Sequence, residues 1–458
     1  MKTGVINIKE AFSSGYRIDP SLHLSEGAIV RSELTHLPYA LTTVANSSSS
    51  IFLGNIFSRC FVRKPEFGVT YLAASDTVLA NVETGRYLSK KQASKLNYLM
   101  LEKDWILVTC SGTLGNVTYT NKSFCNKIAT HDLIRIIPDD IKYKKGCLYA
   151  FLSSKFGYYQ ITQSQFGGVV KHINDKQAGA ILVPKFPDNF QKEVDDHIQE
   201  SARLKEEATD ALNKAIRLIV EFCNNPFKKT EGKNIGAVRS SLLLHSLNTR
   251  FDAPVFINDG VNWTKKLTRE TVLLGDCKIT AWYPGMFKRA YVKNGYPYIK
   301  GSELFLSNPF RKCEHLSRSK TPKLDELWLK EGQLLISCAG ACGLVKLITK
   351  EYEDKNAIGS PDIIRVVSED PLFTKEYLFA YLQIPAIYDY MQSLKYGSVI
   401  ERFDISNIKT IPIVKPTTEL SNAITEIIRN YSDLTYRAYK AEEKAILMVE
   451  QEIEKWNN

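Results

Sequence analysis

Three pairs of basic segments carry the side chains with the clearest chemistry, which is the recognition of nucleic acid. The first pair is RCFVRK from Arg59 and FKRAYVK from Phe287, and the second is GRYLSKKQASK from Gly85 and RKCEHLSRSKTPK from Arg311. Lys and Arg neutralise phosphates, and the same side chains in loops can reach base edges. An ordinary solvated basic loop is the alternative interpretation.

The third pair, FGGVVKH from Phe166 and YGSVIER from Tyr396, differs because it contains glycines. A glycine turn lets a backbone approach a phosphate closely. We therefore predict a nucleic-acid-contacting set drawn from all three pairs, and we assign no base to any member. The set is Arg59, Arg63, Lys64, Arg86, Lys90, Lys91, Lys95, Lys171, His172, Lys288, Arg289, Lys293, Arg311, Lys312, Arg318, Lys320, Lys323, Tyr396 and Arg402.

Motifs that resemble catalytic or metal sites are incomplete. SGTLG (111–115) and AGACG (339–343) follow predicted strands, but strand-like residues follow them, whereas a phosphate-binding loop needs a helix there. SNPF and NNPF lack the first proline of an amino-methyltransferase motif. Cys338 and Cys342 form one C-x3-C without a second ligand pair, which disfavours zinc. We predict no catalytic residue, no bound metal and no cofactor.

The elements that position the basic segments belong to an internal repeat of the sequence. LMLEKDWILVTCSGTLG from Leu99 matches LWLKEGQLLISCAGACG from Leu327, and NKIATHDLIRIIPDD from Asn126 matches NAIGSPDIIRVVSED from Asn356. The spacing between partners stays near 230 residues along most of the chain. Two long copies predict a tandem duplication with two-fold pseudo-symmetry rather than a solenoid.

Each copy begins with short β-branched and aromatic runs that Gly, Asn, Ser and Pro separate, a pattern typical of strands and turns. Helical stretches are fewer, so we predict an α+β fold with a bent mixed sheet in each copy. The predicted divisions are a first recognition domain (1–187), a first spacer helix (188–224), a linker (225–247), a second recognition domain (248–416) and a second spacer helix (417–458).

A long helix ends each copy, and a heptad period continues through both helices in the same register. The a and d positions are Val194, His197, Ser201, Leu204, Ala208, Ala211, Ala215, Leu218 and Phe222, and in the second copy Ile424, Ile427, Tyr431, Leu434, Ala438, Ala441, Ala445, Met448 and Glu452. We predict that the two helices pair antiparallel as a coiled coil. The alternative is that each helix packs only on its own domain. A helix of about 34 residues spans on the order of 50 Å, which makes the pair a spacer.

Composition limits the function classes. The chain has 458 residues, 44% hydrophobic and 24% charged, with a net charge of +10 that permits a polyanionic partner. No apolar run is long enough for a membrane span, and the N-terminal segment lacks the apolar core of a signal peptide. Nine thinly spread cysteines do not suggest a disulfide framework, so we expect a cytoplasmic protein.

The chain resembles the specificity subunits of type I restriction-modification systems. The resemblance depends on the stretch from Gly332 to Gly343, with a looser copy from Asp104 to Gly115. It also depends on Asn356 followed by the strand with Arg365, and on the ending from Tyr396 to Ile413. The order of these elements, the duplication and the twin helices make the resemblance specific. The first copy departs from the pattern where VPKF replaces IPIVKP.

The resemblance implies a non-catalytic subunit with two target-recognition domains, each reading one half of a split duplex-DNA target. It implies that the helices set the gap between half-sites. It also implies partners: probably two methyltransferase subunits, and restriction subunits bound through them. Two other classes stay open, namely a coiled-coil adaptor that binds only protein and an enzyme, a methyltransferase or nuclease, with an unrecognised site.

Overall fold

Short strands and turns build two units in this computed structural model, which describes residues 25–111, 114–163, 172–227, 237–244, 250–397 and 401–456, with residues 8, 23 and 399. Unit 1 is residues 1–206 with 437–458, and unit 2 is residues 207–436. The predicted α+β class with two sheet-rich parts is confirmed.

Among its described residues, unit 1 contains ten strands and five helices besides its share of the long ones. The strands are β1 (Leu41–Thr43), β2 (Ser48–Phe52), β3 (Phe61–Val62), β4 (Gly68–Leu72), β5 (Tyr87–Ser89), β6 (Ile106–Thr109), β7 (Val117–Tyr119), β8 (Ile128–Ala129), β9 (Leu133–Pro138) and β10 (Leu182–Pro184). The helices are Glu26–Thr35, Lys90–Ala93, Lys145–Ser153, Lys155–Gln163 and Asp175–Gly179, with 3-10 turns at Pro65–Phe67, Ala74–Asp76, Ser94–Leu99 and Lys122–Phe124.

Unit 2 repeats this inventory of strands. They are β11 (Thr271–Leu273), β12 (Ile279–Trp282), β13 (Tyr291–Val292), β14 (Tyr296–Ile299), β15 (Glu314–Leu316), β16 (Leu334–Ser337), β17 (Val345–Leu347), β18 (Ile358–Gly359), β19 (Ile363–Ser368) and β20 (Pro412–Val414). The helices are Ser240–Leu244, Pro254–Ile257, Asp259–Thr264, Leu324–Leu327, Lys350–Asp354, Lys375–Leu382, Pro385–Leu394 and Ile405–Lys409, with a 3-10 turn at Leu274–Asp276.

The strand order is the same in both units. A central antiparallel sheet has the order β2-β9-β6-β7 in unit 1 and β12-β19-β16-β17 in unit 2. A smaller sheet has the order β3-β5-β4-β8 or β13-β15-β14-β18, with a parallel pairing at β4–β8 and β14–β18. A two-stranded ribbon, β1-β10 or β11-β20, completes each set. The internal repeat of the sequence is therefore a repeat of topology.

Even the strand register is duplicated. Leu107 faces Arg135 in the β6–β9 pair, and Leu335 faces Arg365 in the β16–β19 pair. These strands are buried along their first four residues, as runs rich in Ile, Leu and Val require. The central sheets and the helices beside them hold the main core of each unit.

The first long helix, Asp188–Cys223, confirms the prediction that a long helix ends the first copy. A second long helix runs from Thr418 to Glu454. In unit 1, Val194 and Ile198 share a core with Ala445 and Val449. In unit 2, the core joins the other parts of the same helices, through Ala215, Ile219, Ile424 and Ile428.

The buried stripe on these helices differs from the predicted heptad at several positions. Ile198 and Ile219 are buried, whereas His197 and Leu218 are only half-buried. Gly146 gives a physical reason, because a Cβ placed there would lie 2.9 Å from the Ile198 Cβ. The missing side chain lets the first long helix approach the helix Lys145–Ser153 closely and turns Ile198 inward.

Candidate nucleic-acid interface

The side chains of Arg59 and Arg289 occupy the same place in their units, each against a tyrosine. Arg59 donates from Nε to the hydroxyl of Tyr71 at 2.6 Å, and Arg289 donates from Nε to the hydroxyl of Tyr298 at 2.8 Å. Each guanidinium also lies over its tyrosine ring, 5.6 Å from the centroid. The tyrosines are on β4 and β14 and are buried, so a rigid strand orients each arginine.

Strand pairing brings the first and second basic segments of unit 1 together. Strand β3 pairs with β5, and Ser89 donates its backbone N–H to the Cys60 carbonyl at 2.9 Å. The side chain of Gln92 accepts from the Cys60 N–H at 2.8 Å and donates to the Ser58 carbonyl. Arg63, Lys90 and the other lysines of these segments are therefore held along one edge of the small sheet.

The same pairing operates in unit 2. Strand β13 pairs with β15, and Ser317 donates its N–H to the Ala290 carbonyl at 2.9 Å. The guanidinium of Arg318 lies 5.5 Å from the ring centroid of Tyr296. Lys323 has a φ of +54°, a left-handed conformation that is uncommon for a lysine, and its Nζ lies 3.5 Å from where a Cβ on Gly285 would stand. The second basic segment thus reaches the beginning of the first.

His172 and Arg402, which end the third pair of segments, lie beside the residues that follow β6 and β16. Ser111 forms a β-bridge with His172, and Ala339 forms one with Arg402 at the matching place. Tyr396 and Arg402 exchange two backbone hydrogen bonds of 2.8 Å. Lys171 lies outside the described residues.

Asp362 connects two of the predicted residues in unit 2. Its carboxylate lies 3.4 Å from Nη2 of Arg402. Burial by itself lowers the pKa of Arg289. Tyr298, Tyr291 and Asp362 raise this pKa by more than burial lowers it, so the net change is a rise. The acidic side chain of Asp362 therefore acts on two neighbouring arginines.

The predicted residues differ in how much of their charge is neutralised within the protein. Arg86 forms an ion pair with Asp76, and Lys323 lies 3.8 Å from Glu326. In the part of the chain that the structure describes, no carboxylate pairs with Arg63, Lys90, Lys91, Lys95, Lys288, Lys293, Arg318 or Lys320. The pKa of Lys312 is lowered to about 8, first because its ammonium loses hydration and second because of the Arg311 guanidinium.

A buried arginine supports the loop behind each surface. Arg135 donates to the carbonyls of Leu133, Ala129 and Thr130, each at 3.0 Å. Arg365 donates to the carbonyls of Gly359 and Ile363, both at 2.9 Å, and more weakly to those of Ser360 and Leu327. Both side chains are inaccessible to solvent.

Burial lowers the pKa of both buried arginines to about 10, so both stay charged at neutral pH. In unit 1, the supported loop carries Thr130, whose Oγ1 lies 3.3 Å from Nη2 of Arg59. In unit 2, it carries Asp362. The sequence contained one indication of this role, because Arg135 and Arg365 stand at the same position within the apolar strands β9 and β19.

Further observations bear on the other functional classes. Among the described residues, no group of three or more His, Cys, Asp or Glu side chains is arranged to hold a metal ion. All nine cysteines lie in the described ranges and are unpaired, and burial raises the pKa of both Cys110 and Cys338 to about 11. None of the described helices has the length and apolar character that crossing a bilayer requires.

Comparison with known proteins identifies the kind of domain in unit 2. Residues 285–447 match the family model of the type I restriction modification DNA specificity domain. No curated protein matches the chain. Among solved structures, the S subunit of a type I restriction-modification system from M. genitalium is 12% identical, with a TM-score of 0.36 and coverage of 92% of this chain and 96% of that one.

Two further structures show a similar extent of match. The HsdS subunit from Thermoanaerobacter tengcongensis is 12% identical, with a TM-score of 0.28 and coverage of 91% of this chain and 97% of that one. A chain from a structure on complex assembly and conformational transition of the type I R-M system is 11% identical, with a TM-score of 0.28 and coverage of 92% and 97%. Over residues 285–447, the family-model match confirms the resemblance seen in the sequence.

Proposed function

We infer that this chain, which carries a type I restriction-modification DNA specificity domain at residues 285–447, is a DNA sequence-specificity subunit whose two recognition domains each read one half of a bipartite target. The chain performs no catalysis itself. The domains are residues 1–187 and 248–416, and the residues that contact DNA are those of the three pairs of basic segments.

One observation supports this proposal above the others. The two units have the same strand order and register, and the basic segments lie at matching strand edges, but their side chains differ. Arg59 and Arg289 are retained, whereas His172 of unit 1 corresponds to Arg402 of unit 2. An asymmetric two-part target needs this combination, because the scaffold has to hold both readers alike while the contacts to bases change.

The two long helices act as the spacer between the half-site readers, paired antiparallel. The cores that the helices share within each unit support the pairing. Ala215 and Ala445 occupy the same position in the two helices, and both are fully buried. Their small side chains permit close approach of the helices. The length of the pair then sets the number of base pairs between half-sites.

Methylation and cleavage belong to partner subunits. We place two methyltransferase subunits on the chain, and restriction subunits bind through them. The complex works in the cytoplasm, where unpaired cysteines stay reduced.

Selection from a pool of random duplex DNA tests the proposal with the full chain. We expect recovery of two fixed motifs separated by a constant gap, and affinity that falls steeply as salt rises because phosphate contacts release counterions. Recovery of no motif would overturn the proposal.

Insertion of one heptad into each long helix tests the spacer role separately. We expect each half-site to keep its bases while the gap widens by about three base pairs, since seven helical residues add about 10 Å and a DNA base pair rises about 3.4 Å. An insertion of one heptad into the first helix alone is the control, and we expect it to weaken binding because the pairing loses its register. An unchanged gap in the double insertion would refute the spacer role.

A further inference from the structure

Two large apolar side chains stand in solvent at the same position of the two units. Ile56 is 85% exposed and Met286 is 73% exposed. Each lies on the segment that leads from the central sheet to the small sheet, between β2 and β3 or between β12 and β13. One exposed apolar residue is ordinary on a protein surface, but the same exposure at the same place in both copies indicates a shared use.

The backbone around Ile56 is held firmly. A Cβ on Gly54 would lie 2.8 Å from Cδ2 of Leu99, so this segment is pressed against its neighbour. Asn55 donates its N–H to the Tyr98 hydroxyl at 3.2 Å. The Phe57 ring meets the imidazole of His131 edge to face, with centroids 6.1 Å apart. Ile56 is therefore presented outward on a rigid support.

Met286 has an equivalent support. Pro284 is buried, and Phe287 packs against the cluster of Tyr298, Leu316 and Leu327. A residue that is fixed on both sides and projects from the surface loses little conformational freedom when it meets a ligand.

Positive charge surrounds both apolar tips. Arg59, held on Tyr71, follows Ile56 by three residues, and Arg289, held on Tyr298, follows Met286 by three. Arg63 and Lys293 continue the same segments. Charge of this sign favours a polyanion as the occupant and disfavours an ordinary apolar protein interface.

We propose that Ile56 and Met286 contact the apolar surface of DNA bases, one in each half-site, while the arginine beside each anchors a phosphate. The inference rests on the proposed function and deepens it by naming specificity-determining residues. Two arrangements share this chemistry: contact with the 5-methyl group of a thymine in the major groove, and insertion between stacked base pairs in the minor groove.

The test uses the full-length chain and the duplex site that it selects. We expect Ile56→Ser to weaken specific binding about tenfold and to relax the base preference at one or two positions of one half-site only. Met286→Ser does the same in the other half-site. The dependence of affinity on salt stays unchanged in both variants, because no phosphate contact is lost.

Matched controls separate this effect from general loss of apolar surface. Ile141 is 98% exposed in unit 1 but lies outside the basic segments, and we expect Ile141→Ser to bind as the wild type does. Lys90→Ala weakens binding to all sequences alike and makes the salt dependence shallower, as loss of a phosphate contact requires.

Modified DNA distinguishes the two arrangements. If the contact is to a thymine methyl group, deoxyuridine at that position weakens wild-type binding as much as Ile56→Ser does, and combining the two changes adds nothing. If the side chain inserts between bases, the fluorescence of 2-aminopurine placed at that base-pair step increases when wild-type protein binds and does not increase with the variant.

The possible failures can be told apart. If the wild type selects two half-sites and both serine variants keep full affinity and preference, this inference is overturned and the proposed function stands. The inference also fails if the variants bind DNA normally but no longer assemble with a methyltransferase subunit, since the apolar tips would then contact protein. Selection of no sequence by the wild type would overturn the proposed function itself.

Discussion

The hydroxyl of Tyr149 lies 2.6 Å from the carboxylate of Glu442, although 293 positions separate the two residues in the chain. Glu442 is buried, and Lys205 forms an ion pair with the same carboxylate. The hydroxyl of Ser201 donates to the Ala438 carbonyl at 2.8 Å. These contacts tie the last part of the second long helix into unit 1 with polar bonds. At the corresponding place in unit 2, the ring of Phe379 packs on Tyr431.

Replacement of Glu442 by Ala should lower the free energy of unfolding by about 2 kcal/mol, because the Tyr149 hydroxyl loses its acceptor and Lys205 its counter-charge. Hydrogen exchange should accelerate in residues 437–454 first. Asp196→Ala is the control, since it breaks only the exposed Lys192–Asp196 pair and should cost under about 0.5 kcal/mol. Equal effects of the two variants would contradict the assigned role of Glu442.

Replacement of Tyr298 by Phe removes the hydroxyl that orients Arg289 but keeps the ring beneath it. We expect specific affinity to fall about fivefold through the second half-site, because one hydrogen bond from the Arg289 guanidinium to a hydroxyl contributes on the order of 1 kcal/mol. Tyr71→Phe should act on the first half-site in the same way. Tyr388 lies on the helix Pro385–Leu394, away from strand β14, so Tyr388→Phe should leave binding unchanged. A fall of the same size in that variant would show that the effect does not act through Arg289.

The lowered pKa of Lys312 predicts that DNA binding depends on pH. In the unbound protein this pKa is about 8, and a phosphate beside the ammonium would raise it, so binding above pH 8 takes up a proton. Affinity should therefore fall between pH 7 and pH 9 at constant ionic strength. Lys312→Arg should remove this dependence, because arginine stays protonated throughout. A variant that kept the wild-type pH profile would exclude contact between Lys312 and a phosphate.

Replacement of Arg365 by Met should destabilise unit 2 by about 3 kcal/mol, because the Gly359 and Ile363 carbonyls lose their buried donor. Hydrogen exchange, followed separately in each unit, should show faster exchange around β18 and β19. Arg135→Met should do the same around β8 and β9. Arg402→Met, which changes an exposed guanidinium, is the control and should leave exchange in the β19 strand unchanged.

Local patterns predicted the elements well because each pattern had a local cause. Apolar runs bounded by turn residues became the buried strands β6, β9, β16 and β19, and the heptad period became the helix Asp188–Cys223. The orientation of that helix was harder to predict. A residue such as Gly146, which precedes the helix by some forty positions, decides that Ile198 rather than His197 is fully buried. Contacts of this kind leave no periodic signal in the helix itself.

The candidate interface shows the same division. Composition and repetition predicted the basic segments, because a cluster of Lys and Arg can be recognised within a single short stretch of sequence. Sequence alone did not predict the Tyr71 and Tyr298 hydroxyls that orient the arginines, or Asp362 beside Arg402, because strand pairing brings these residues together from distant positions. The sequence showed Arg135 and Arg365 at equivalent positions. Their role could be assigned only from the loop carbonyls to which they donate.

The composition of unit 1 from residues 1–206 and 437–458 has a consequence for synthesis on the ribosome. The core that contains Val194 also contains Ala445, Val449 and Ile453, so unit 1 cannot complete its core until residues 445–453 have been translated. Until then, an apolar stripe stays exposed on the nascent chain, where it invites aggregation or chaperone binding. A chain that stops early would therefore leave its first domain unfinished as well as lacking its end.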